Sequence, residues 1–133
     1  MTQAIDNPAH WQHRRQEWIA RIRGLVTEIA AWSEAEGWQV EQGQKTLREK
    51  FLGDYEVPTL LVRLPGGELS VNPIGLRVIG ADGRIDLEAY PTLNRVKLAG
   101  AAQGWQIITD SNVPIRSPWN RDTFVQLAHD LIS

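Results

Sequence analysis

The chain has no cysteine among its 133 residues, which excludes disulfides, zinc–thiolate centres and thiol catalysis and leaves packing alone to hold the fold. It also lacks a surplus of positive charge. Fourteen Lys and Arg against sixteen Asp and Glu give a formal net charge of −2, so no global field draws it onto phosphate, and nucleic acid is not expected as a partner. No apolar run approaches the roughly 18 residues of a membrane span, and the opening MTQAIDNPAHWQHRRQEW lacks the basic-then-apolar order of a signal peptide. The expectation is a cytoplasmic protein with no membrane contact. Phosphate loops are missing too, because LPGGE and GADGR are turn glycines without the lysine or the following helix that phosphate binding needs. Ser70 and Ser117 have no neighbouring base, so no nucleophile is indicated.

What is present describes one packed domain. Apolar residues make up 42% and charged residues 23%, the balance of a globular chain, and the length is that of a single domain spanning 1–133, with residues 1–7 frayed. The six tryptophans, at 11, 18, 32, 38, 105 and 119, are many for this size, and most are expected in the core.

Asp6 or Asn7 followed by Pro8 is a helix start, and Trp11, Trp18, Ile22, Leu25, Ile29 and Trp32 keep one stripe as far as a stop at Gly37. Trp38 and Val40 predict a strand near 38–42 followed by an irregular link ending at Gly53-Asp54, while the mostly polar residues 43–56 equally suit strand, helix or loop. From 57 to 98 apolar and polar residues alternate with the period of a strand, broken by turns at 65–67 and 80–83 and by Pro73 and Pro91. Pro73 marks an edge or a bulge, residues 100–104 a loop, 105–109 a last strand, and 110–120 a loop carrying Trp119. Asn120 can cap a final helix with Phe124, Leu127, Ala128 and Leu131 on one face. The fold class expected is α+β: a long N-terminal helix, an antiparallel sheet of about five strands and a C-terminal helix, both helices on one sheet face.

Three clusters could carry chemistry. Asp86 and Glu88 share one face of a strand, their Cα atoms roughly 6 to 7 Å apart, a spacing that suits acid–base work or a magnesium ion. With Lys97 on the next strand they resemble the acid, acid, lysine set of restriction-endonuclease-like nucleases, which implies a metal-dependent hydrolase acting on nucleic acid. In that family the second acid lies two residues before the lysine, where this chain has Arg95. The competing expectation is a solvated face on which Asp86 and Glu88 pair with Arg95, Lys97 and Arg77. His10 and His13 stand three apart on the first helix with His129 on the last, and no further ligand is in place, so neither metal nor cofactor is expected. Arg14, Arg15, Arg21 and Arg23 interleave with Trp11 and Trp18, a pattern that suits single-stranded nucleic acid or an anionic surface. The spacing of Arg14, Glu17 and Arg21 equally suits ion pairs along the helix.

The element order resembles the layout of several small bacterial chaperone, adaptor and immunity proteins. The functional expectation is a non-enzymatic binding or adaptor protein with a protein partner or a second copy. Its contact residues would be Leu61, Ile79, Tyr90 and Leu93 on a greasy sheet face, or Trp119 in its loop.

Overall fold

The apolar stripe winds into helix α1, Pro8–Ala35, which buries Trp18, Ile22, Leu25, Val26 and Ile29. Asn7 caps it, its side-chain oxygen accepting from the Ala9 N–H at 3.0 Å, and Pro8 occupies the first helical position, where a missing N–H costs nothing. The computed structural model describes residues 7–78, 81–102 and 104–133. After α1 the chain forms β1 (Gln39–Glu49), β2 (Gly53–Leu64), β3 (Gly67–Val78), β4 (Ala81–Tyr90), β5 (Arg95–Ala101), β6 (Gly104–Thr109), β7 (Pro114–Ile115) and helix α2 (Arg121–Ile132). The strands pair antiparallel in sequence order as one sheet of seven, not five. Among the described residues no helix is long and apolar enough to cross a membrane.

The strand expected near 38–42 is longer than its alternation showed, the edge strand β7 is added, and several boundaries move. β1 runs from 39 to 49 as one arm of a hairpin paired without interruption from Gln39↔Arg63 to Glu49↔Gly53. It is an edge strand whose side chains, Leu47 apart, are exposed or half-buried, so it has no apolar alternation to betray it. The supposed link at 43–56 is therefore strand, a three-residue turn, and strand again. Gly100 and Ala101 belong to β5 and Gly104 to β6, and the loop at 110–120 contains the short edge strand β7. The β3–β4 hairpin closes at Val78↔Ala81, which places Ala81, Asp82 and Gly83 in β4. Residues 79 and 80 lie outside the described residues.

β4 shows the two faces plainly. Ile85, Leu87 and Ala89 are buried in a core completed by Trp18 of α1 and Phe124, Leu127 and Leu131 of α2. Gly83, at φ +99°, lies where a Cβ would come within 2.2 Å of the Trp18 ring. Pro73 sits at a register shift between itself and Gly75, beyond the last β2–β3 pair, Leu60↔Val71. Past that pair the two strands separate, and side chains of β1 bridge the split. Lys45 Nζ donates to Asn72 Oδ1 and to the Pro73 carbonyl, both at 2.8 Å. The Glu49 carboxylate accepts from the N–H groups of Leu76 and Arg77 and from the Tyr55 hydroxyl.

Candidate functional site

The sheet carries Asp86, Glu88, Arg95 and Lys97 on the side away from Ile85 and Leu87. Asp86 is buried, and both its oxygens accept from one guanidinium: Arg84 Nε to Oδ1 at 2.7 Å and Arg84 Nη2 to Oδ2 at 3.0 Å. Arg95 adds a contact at 3.8 Å and is itself held by Asp110 at 2.7 Å, whose carboxyl is kept below its usual pKa chiefly by that hydrogen bond. Lys97 stands directly opposite Asp86 in the ladder, but its Nζ donates to Asn112 Oδ1 at 2.6 Å. Glu88 faces Arg95 across the same ladder. The three residues of the nuclease-like set thus share a surface, while Asp86 and Lys97 turn their polar atoms to other partners. Burial lowers the pKa of nearby Lys45, and the Asp86 charge partly opposes this.

Leu61, half-buried on β2, lines a shallow cleft of about 480 Å³ on this surface together with Thr59, Ser70, Asn72 and Glu88. Tyr90 and Leu93 flank the β4–β5 turn and are 63% and 64% exposed. They line none of the clefts described here, and Ile79 lies outside the described residues. The histidines stay apart: His13 contacts Glu17 at 2.8 Å, and His129 meets the Trp38 ring edge-on. Among the described residues no three His, Asp or Glu side chains gather as a metal ion would need.

A larger concavity lies on the helix side. It follows α1 through Arg21, Gly24, Glu28 and Trp32, is walled by Trp105 of β6 and by Trp119, and has a volume of about 670 Å³. Each wall is anchored. Trp119 packs on Trp32 at 5.5 Å and on Phe124 at 5.9 Å, and its Nε1 donates to Glu28 Oε1 at 2.9 Å. The Arg21 guanidinium covers the Trp105 ring at 4.7 Å and donates to the carbonyls of Gly104 at 2.8 Å and Ala101 at 3.2 Å. Arg21 therefore leaves the helix surface instead of pairing with Glu17. The floor between these walls is Gly24, where an added Cβ would meet no atom within 4 Å.

Of this groove, sequence reasoning singled out Trp119 as a contact residue and Arg21 as part of a basic helix face. It missed Gly24, Glu28 and Trp105, although a glycine amid the periodic apolar run of α1 was a visible irregularity. Comparison with protein-family models, curated proteins and solved structures found no match for this chain.

Proposed function

We propose that this protein is a non-enzymatic binding module that receives an extended segment of a protein partner in the groove along α1. The observation that carries this reading is Gly24. A glycine inside a helix costs about 1 kcal/mol relative to alanine. Glycines that admit a close neighbour have a packing reason. This one has none, since a side chain there would enter open space, so the vacancy serves something that arrives from outside.

The surroundings fit an occupant of that kind. Three half-buried indoles offer large, rigid contact area with a polar edge, the composition of interface hot spots. From Arg21 to Trp32 the helix rises about 16 Å, the span of roughly five extended residues. Glu17, Glu28 and Asp82 line the groove against the one cation Arg21, which favours a basic residue on the incoming segment.

Panning a random peptide display library against the protein tests this. The expectation is a family of enriched peptides that binds the wild type and Leu61→Glu but is lost on Gly24→Trp, which fills the groove. No enrichment, or enriched peptides held equally by Gly24→Trp, contradicts the reading. Loss on Leu61→Glu with retention on Gly24→Trp moves the partner to the sheet face.

A further inference from the structure

The opposite end of α1 carries a second surface, of different chemistry. The β1–β2 turn places Phe51 at φ +72°, left-handed backbone that a bulky aromatic residue adopts only at a cost and that glycine adopts freely. The ring kept there lies flat on Trp11, centroids 5.4 Å apart and planes 15° from parallel, and Phe51 is 38% exposed. Cations surround the pair. The Arg77 guanidinium is 4.7 Å from the Phe51 centroid and 5.3 Å from that of Trp11, Lys50 Nζ is 5.2 Å from Phe51, and Arg14 is 5.8 Å from Trp11. Arg77 is steadied by donating to the Lys50 carbonyl at 3.0 Å. Among the described residues neither Lys50 nor Arg77 forms an ion pair. The neighbouring carboxylate, Glu49, is taken up by the N–H groups of Leu76 and Arg77 and by Tyr55. Asp82 holds Arg14 at 3.3 Å and so competes for one of this cluster's cations.

Beside Trp11 lies a cleft of about 430 Å³ lined by His10, Arg14, Trp18 and Arg21 together with the carboxylates Glu17 and Asp82. The charge along α1 also runs against its dipole, with no acidic residue in the first turn and no basic one in the last. A helix arranged for stability alone would carry the opposite order.

We propose that this surface binds single-stranded nucleic acid, a base stacking against the Phe51–Trp11 pair while Lys50, Arg77 and Arg14 meet the flanking phosphates. Parallel rings with cations laid across them and one member open to solvent match how strands are held without sequence preference. An anionic membrane would instead favour aromatic side chains projecting outward on their own, and here the rings lie against each other and under guanidinium groups. The net charge of −2 does not oppose a local site, because Glu28 and Glu34 lie on the other half of α1 and Glu36 caps its far end. Glu17, Arg21 and Asp82 line both this cleft and the Gly24 groove, but Phe51, Lys50 and Arg77 line no part of that groove, and the proposal does not depend on it.

The test is fluorescence anisotropy of labelled oligothymidylate of about fifteen nucleotides, a length within the span of known single-strand sites. Three phosphate contacts predict that affinity weakens roughly 20-fold between about 50 and about 200 mM salt. Lys50→Glu with Arg77→Glu is expected to weaken binding at least 10-fold, and so is Phe51→Gly, which removes the ring while easing the backbone. Asp82→Asn, by releasing Arg14, is expected to tighten it. Thermal melts of each variant confirm the fold, and Lys50→Glu alone serves as the control least able to disturb it, since among the described residues the exposed Lys50 side chain forms no hydrogen bond or ion pair and meets only the Phe51 ring. Absence of binding at about 100 μM protein in low salt overturns the proposal. So does wild-type affinity in the charge-reversed and Phe51→Gly variants, or binding to phosphatidylglycerol vesicles without binding to the oligonucleotide.

Discussion

Glu49 does for one stretch of β3 what a neighbouring strand does elsewhere: its carboxylate receives the N–H groups of Leu76 at 3.1 Å and Arg77 at 2.9 Å where β2 has peeled away. Replacing it by alanine strands the Leu76 N–H and the Tyr55 hydroxyl below the surface and leaves the exposed Arg77 N–H to water, a loss of about 2 to 4 kcal/mol by the cost of the two buried groups, readable as a lower urea midpoint. Glu49→Gln keeps an acceptor and is expected to lose less. Tyr55 extends the argument to pH. Its burial, then the hydrogen bond to Glu49 and that residue's charge, push the phenol well above its ordinary value of about 10. The Trp18 indole N–H, buried with no acceptor in hydrogen-bond geometry, opposes this by favouring the phenolate. A raised pKa means that the folded state holds its proton after the unfolded chain has released it. The associated stability is complete below about pH 10 and declines as pH rises from there toward the folded value. Urea midpoints at increasing pH should fall across that window in the wild type, and Tyr55→Phe should remove this part of the fall.

At the scale of elements, what could be read from the residues depended on whether burial imposed a period. α1 and α2 were legible because each presses one stripe into the core, and β4 because Ile85, Leu87 and Ala89 alternate against a polar face. β1 was not, since an edge strand exposed along most of its length leaves no period behind. In β2 the buried positions change phase from Tyr55 and Val57 to Leu60, Val62 and Leu64, which hides its first third from an alternation count. The site followed the same logic. The shared face of Asp86 and Glu88 was readable, but not that Arg84, two residues away on that face, would take both Asp86 oxygens ahead of Lys97. Gly24 was unreadable as a groove because periodicity records side chains and not the space a missing one leaves. Gly83 carries the element-scale prediction. A methyl group there meets the Trp18 ring at 2.2 Å on a backbone of φ +99°, so Gly83→Ala is expected to cost about 3 kcal/mol or more by overpacking and strain. Calorimetric melting checks this, and an unchanged melting temperature would mean that α1 does not seat on β4 as described.

Across the whole molecule, α1 serves two surfaces from one helix. Its first half meets the β1–β2 turn in a cationic, aromatic cluster, and its second half floors a groove walled by Trp105 and Trp119. Trp11 and Gly24 are about 20 Å apart along the helix, far enough for substitutions at the two places to act independently. Gly24→Trp is therefore expected to leave oligothymidylate binding within about twofold of wild type. The claim on which the functional account rests is that the space above Gly24 exists to be filled by a partner. Titration calorimetry of a display-selected peptide against wild type, Gly24→Ala and Gly24→Trp addresses it directly. The account predicts that Gly24→Ala melts about 1 kcal/mol more stable but binds more weakly than wild type, while Gly24→Trp stays folded and loses affinity by at least about tenfold, or 1.4 kcal/mol. Equal affinity in all three proteins would contradict it.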